Sequence, residues 1–260
     1  ILICPGKRPL NQFITYLDKF NKNRFLVFFV NPANHIQFYN TIINKCDKIF
    51  TPKIVNDKKH IWIPYFHYLC MDEKYICNKD YSFKINNLNL KEKTKFMCNN
   101  PISTPYKQLL KILDKFKDED IHIYGGKNMY PYFKKYGEKF KGNMNFIKMK
   151  AGHYKEKSLN KTAVFKEYKY ILVIENCFEY GGFTEKLIDC LGCLSLPVYF
   201  GAKNPEKIMP ELFKNGVING FNFKNDDELI KYLKNMSEKE YISRINTIKK
   251  YRDHYFSYFG

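Results

Sequence analysis

The sequence predicts an α/β protein with open parallel sheets. Ile171-Leu172-Val173-Ile174 is a near-continuous apolar run that stops abruptly at Glu175-Asn176, the mark of a parallel strand buried on both faces. Beyond it Leu187, Ile188, Leu191 and Leu194 repeat at helical spacing, and Pro197-Val198-Tyr199-Phe200-Gly201 closes a second strand. Residues 168–201 therefore read as strand, polar loop, helix, strand. A chain of 260 residues buries a real core, and we read it as two units, 1–92 and 93–260, joined near the polar, Asn- and Lys-rich stretch that precedes Lys95.

Taken in order, strands are expected at Ile1 to Cys4, Phe25 to Val30, Lys48 to Phe50 and His60 to Phe66, with a helical pattern around Phe13, Leu17 and Phe20. The second unit opens with a strand at Lys95 to Cys98. A turn then leads into a helix capped by Thr104 with Pro105 at its first position, carrying Leu109, Ile112, Leu113 and Phe116. Ile121 to Tyr124 is the next strand, and Gly125-Gly126 after it places a second glycine loop at the same sheet edge. Asn145 to Met149 is a further strand. Thr184 is the expected N-cap of the helix that follows Ile174, with Glu185 and Lys186 in its first turn. Asn225-Asp226-Asp227-Glu228 starts a helix carrying Leu229, Ile230 and Leu233. Ser237 with Glu240 forms a capping box for the last helix, which carries Tyr241, Ile245 and Ile248.

Composition narrows the function. Formal charge is +18, yet only Arg8, Arg24, Arg244 and Arg252 of the 44 basic residues are arginine. Nucleic-acid readers rely on arginine forks, so evenly spread lysine reads as solvated surface rather than a nucleic-acid interface, with a positive field that attracts anionic ligands. No stretch reaches the ~18–20 apolar residues of a membrane span. The absence of methionine before Ile1 leads us to expect a fragment or processed form. Of the eight cysteines, Cys190 and Cys193 form a CxxC, but it lies in the expected helix beside its buried face, and no second pair completes a zinc set. Buried reduced thiols are expected, and with them a reducing compartment, cytoplasmic or host-cytoplasmic.

In open α/β sheets ligands bind beyond the carboxyl ends of strands, where a glycine loop admits close approach and the next helix offers its positive end. Glu175, Gly181, Gly182 and the Glu185-Lys186 pair stand there. A first-turn cation is disfavoured by a few tenths of a kcal/mol, so Lys186 points to a bound anion such as a diphosphate. The plain alternative is an exposed ion pair worth under ~1 kcal/mol.

With these residues in view, Tyr168 to Gly201 resembles the donor-binding signature of the α-1,3-fucosyltransferases: a Tyr168-Lys169-Tyr170 strand ending in Glu175-Asn176, a Thr184-Glu185-Lys186 helix start, and a Pro197-Val198-Tyr199-Phe200-Gly201 strand. Weaker similarity runs from Phe96 to about Phe223, and before that Ile61-Trp62-Ile63-Pro64-Tyr65 matches in general pattern. The resemblance implies a GT-B fold, two Rossmann-like domains facing across a cleft. It also implies GDP-fucose as donor, a glycan hydroxyl as acceptor, inversion at the anomeric carbon, and no metal or other cofactor for the chemistry. Glu185 would then bond the ribose and Lys186 the diphosphate, which suits a vicinal diol and a departing anion. Glu175 and Asn176 would brace the loop or line the pocket, and Phe183, Thr184, Tyr124 and Gly125 complete the donor side.

Three departures stand out. Where the family has an arginine, this chain has Tyr106-Lys107, so Lys107 takes the phosphate contact without a bidentate fork. The tyrosine expected before the helix start falls at Gly182, with Tyr180 two residues earlier as its substitute. The family's glutamate base has no counterpart in Val30 to Gln37, where His35 is the titratable side chain. His35 is the candidate base, against a loop histidine that caps or packs. Three rival readings follow: transfer of a different nucleotide-linked sugar, a relic that binds nucleotide or carbohydrate after losing its base, and a basic RNA-binding module.

Overall fold

The computed structural model describes residues 2–4, 25–28, 46–51, 58–62, 93–99, 121–122, 124–125, 147–148, 164–175, 178 and 180–256. The chain divides into two compact units: Ile1–Glu73 with Glu175–Glu185 and Gly201–Ile208, and Lys74–Ile174 with Lys186–Phe200 and Met209–Gly260.

The first unit holds a parallel sheet of β1 (Leu2–Cys4), β2 (Phe25–Phe28), β3 (Lys48–Thr51) and β4 (His60–Trp62), hydrogen-bonded in chain order. Leu26 lies beside Ile49, and Ile49 beside His60. Ile49 and Cys46 are buried there.

The second unit holds a five-stranded parallel sheet. It is built from β5 (Lys95–Asn99), β6 (Ile121–His122), β9 (Tyr168–Ile174), β10 (Leu196–Phe200) and β11 (Ile218–Asn219), in the order β11-β10-β9-β5-β6. β7 (Tyr124–Gly125) and β8 (Ile147–Lys148) form a separate parallel pair. Of the expected strand at Ile121 to Tyr124, Ile121 and His122 pair in the five-stranded sheet while Tyr124 pairs in the other, and Gly125 lies in a strand, not in a loop at the main sheet's edge.

β9 and β10 are central and nearly all buried, as the apolar runs require. The helices are α1 (Glu185–Gly192), α2 (Pro210–Asn215), α3 (Asp226–Asn235) and α4 (Glu238–Phe256), and α4 packs against β10 and α2. α1 ends earlier than the leucine spacing predicts. The Ser195 N–H donates to Cys190 O at 3.1 Å and the Leu194 N–H to Leu191 O at 3.1 Å, the paired bonds of a Schellman cap. Leu194 sits at the left-handed position with φ 49°, which glycine usually fills, and its complete burial offsets the backbone strain.

α3 starts as the sequence predicts: the Asn225 side chain accepts the Glu228 N–H at 2.9 Å. The capping box of α4 forms by half. Ser237 Oγ accepts the Glu240 N–H at 3.1 Å, but the Glu240 carboxylate turns to the Tyr232 hydroxyl and to Arg244 Nε, because charged and phenolic donors offer it stronger bonds than the cap N–H. α4 docks through buried Tyr241, Ile245, Ile248 and Arg252. The Tyr170 hydroxyl donates to Leu233 O at 3.0 Å and its ring meets Tyr241 edge-on at 6.0 Å. Burial pushes the Tyr170 phenol up to about 12.

Candidate functional site

Strand order decides where a ligand belongs. From β5 the chain moves outward to β6, returns to β9 on the other side of β5, and continues to β10 and β11. The order therefore reverses between β5 and β9, which makes their carboxyl ends the topological switch point where ligands bind in open α/β sheets. β5 ends at Asn99, which is buried, and β9 leads directly into Glu175.

Glu175 is 0% exposed. Its carboxylate accepts the Thr184 N–H at 3.0 Å and the Thr184 hydroxyl. One buried anion thus closes the loop from both ends and fixes where α1 begins, with charge-assisted bonds that are the strong kind. Within the loop Gly181 has φ 83°, a left-handed conformation that glycine adopts freely. The Phe183 N–H turns back to Gly181 O at 2.9 Å. Gly181, Gly182 and Phe183 are buried, Tyr180 and Thr184 are half-buried, and Phe178 is exposed.

Glu185 opens α1 half-buried, and Lys186 follows at 4% exposure. An exposed surface pair is not what the fold makes of them. Asp189, 0% exposed, comes three residues after Lys186, the spacing that shares a helix face. Sequence reading passed over Asp189, although opposite charges at that spacing on an otherwise apolar face are a visible signal. It also passed over Asn99, a polar side chain at the last position of a buried strand.

The fold thus brings Glu175, Gly182, Phe183, Thr184, Glu185 and Lys186 together at the end of β9. Tyr124 and Gly125 lie on β7, outside the five-stranded sheet. His35, Tyr106, Lys107 and Asn176 lie outside the described residues, as do the expected helices around Leu17 and Leu109. Among the described residues no cluster of His, Cys, Asp and Glu is arranged to hold a metal ion, and no helix is long and apolar enough to cross a membrane. The described cysteines Cys46, Cys98, Cys190 and Cys193 are buried and form no disulfide among the described residues.

Comparison with known proteins bears on the same segment. The family model for the C-terminal part of glycosyltransferase family 10 (fucosyltransferase) matches residues 120–259, more than half of the chain and all of the segment just described. The chain belongs to glycosyltransferase family 10. An α-(1,3)-fucosyltransferase of Helicobacter pylori is 38% identical over 76 residues, 29% of this chain and 15% of that protein. A putative fucosyltransferase of Acanthamoeba polyphaga mimivirus is 34% identical over 105 residues, 38% of this chain and 17% of that protein. The chain spans less than a fifth of the length of these relatives.

Solved structures share the fold over most of the chain. An α1,3-fucosyltransferase with GDP superposes with a TM-score of 0.53 at 16% identity, covering 86% of this chain and 66% of that one. Anabaena HepE in complex with UDP and glucose gives 0.57 at 9% identity, covering 88% and 66%. At such identity the likeness shows the fold, which is of the GT-B type.

Proposed function

We propose that this family 10 chain is an inverting glycosyltransferase that moves fucose from GDP-fucose onto a glycan hydroxyl. The observation that carries the reading is the buried Glu175 carboxylate clamped on Thr184, which delivers Glu185 and Lys186 to the carboxyl end of β9. Glu185 at the start of α1 is suited to accept from a ribose diol, and Lys186 to face a diphosphate along with the first N–H groups of the helix. Preorganised cation and N–H groups stabilise a departing nucleoside diphosphate without reorganising during the reaction. Family membership and the GDP named for a solved structure of the same fold support the donor. His35 is the candidate base, and His35→Ala is expected to abolish transfer while sparing donor binding.

A second reading, transfer of another nucleotide-linked sugar, is favoured by Gly182 and the Tyr106-Lys107 pair, which by the resemblance fall where the family carries tyrosine and arginine. Calorimetric titration with GDP, UDP and CMP separates the two. Preference for GDP, with slow hydrolysis of GDP-fucose, supports the first reading. Preference for another nucleotide supports the second, and binding with no turnover on any donor sinks both in favour of a relic.

A further inference from the structure

We propose that Trp62 is a positioning residue for the donor loop, its indole N–H setting the turn that presents Thr184, Glu185 and Lys186. The inference rests on the donor-site reading above. Trp62 is the last residue of β4, and its Nε1 donates to Gly181 O at 3.2 Å across 119 residues of sequence. Indole is donor only, so the direction of the bond is fixed. The oxygen it binds is the one that accepts the Phe183 N–H at 2.9 Å, the pivot of the turn. Gly181 is buried and Trp62 half-buried, so the bond is part-buried, and a carbonyl in such surroundings is costly to leave without its donor.

Among the described residues the loop is held at two places. Glu175 holds it at the start of α1, and Trp62 holds it at Gly181. Rotation of the Gly181 peptide shifts Phe183 and, through it, the N–H of Thr184 that Glu175 grips. A displacement of the order of 1 Å at a positioned group is enough to impair transfer. Trp62 touches neither substrate nor reacting atoms in this scheme and acts through the loop.

The test uses the full chain and Trp62→Phe, which keeps a ring and removes the N–H, with Trp62→His to restore a ring N–H. Hydrogen exchange at the Gly181 to Thr184 amides, GDP calorimetry and donor KM against kcat are measured together. Trp62→Phe is expected to accelerate exchange at Phe183 and to weaken GDP binding by about 2- to 10-fold each, the factor one net hydrogen bond supplies. Donor KM rises more than kcat falls, and Trp62→His recovers part of the loss. Wild-type exchange and GDP affinity in Trp62→Phe overturn the proposal and leave the donor reading intact. Accelerated exchange in a protein whose wild type binds no nucleotide removes the donor reading and keeps the anchor. Should the variants not fold, the wild type answers: Trp62 is its one tryptophan, and GDP must shift its emission with the calorimetric midpoint. Unchanged emission at calorimetric saturation overturns the proposal.

Discussion

Removal of the Lys93 ammonium is expected to cost the second unit a large part of its stability. Lys93 is 3% exposed. Its three N–H groups are shared among four acceptors, Ser195 Oγ at 2.8 Å, Tyr168 O at 3.2 Å, Lys166 O at 3.3 Å and Cys193 O at 3.3 Å. The Ser195 hydroxyl in turn donates to Phe165 O at 2.7 Å. One cation thus ties the start of β9, the start of β10 and the carboxyl end of α1, where a positive charge is also favoured by the helix dipole. Lys93→Met keeps most of the stem and strands these acceptors. At roughly 1 kcal/mol or more for each acceptor left bare, less the desolvation the ammonium no longer suffers, the loss is about 3–5 kcal/mol. Exchange of the Tyr170 to Ile174 amides reads it within this unit, which is preferable to global melting in a chain of two units. GDP affinity of the folded variant stays near wild type, because Lys93 sits at the opposite end of the strands from Glu175. A loss below about 1 kcal/mol refutes the argument.

Two further outcomes follow from the packing. An added Cβ at Gly220 lies 2.2 Å from the buried Phe200 ring, so Gly220→Ala is expected to destabilise by about 1–3 kcal/mol in chemical denaturation, with Phe200→Leu relieving part of it. The raised Tyr170 phenol gives a pH dependence of definite sign. The folded state holds the proton more tightly than the unfolded chain, so the contribution is complete below pH 10 and disappears as pH rises toward about 12. Melts between pH 9 and 12 should fall by an amount of order 2–3 kcal/mol, and a flat profile contradicts the buried hydroxyl.

The central segment was legible because β9 and β10 are buried on both faces, so their apolar runs carry no competing signal. Glu175 and the helix start followed from where those runs stop. Other features depended on tertiary contacts that spacing does not reveal. Leu194 continues the helical period but takes a left-handed cap because its side chain is buried there. Glu240 has the spacing of a capping box but spends its carboxylate on Tyr232 and Arg244. α2 and β11 are too short to show a period. Lys93 looks like any surface lysine in a chain of 44 basic residues, and only the fold brings the carbonyls around it.

The account depends on a nucleoside diphosphate binding at the start of α1. Calorimetry of GDP with the wild type, Glu185→Gln and Lys186→Met, each checked for an intact melting transition, tests this directly. The account predicts that wild type prefers GDP to UDP and that Lys186→Met weakens binding by about 10- to 100-fold, the value of a hydrogen bond to a charged group, with a smaller loss for Glu185→Gln. Wild-type GDP affinity in both variants contradicts it.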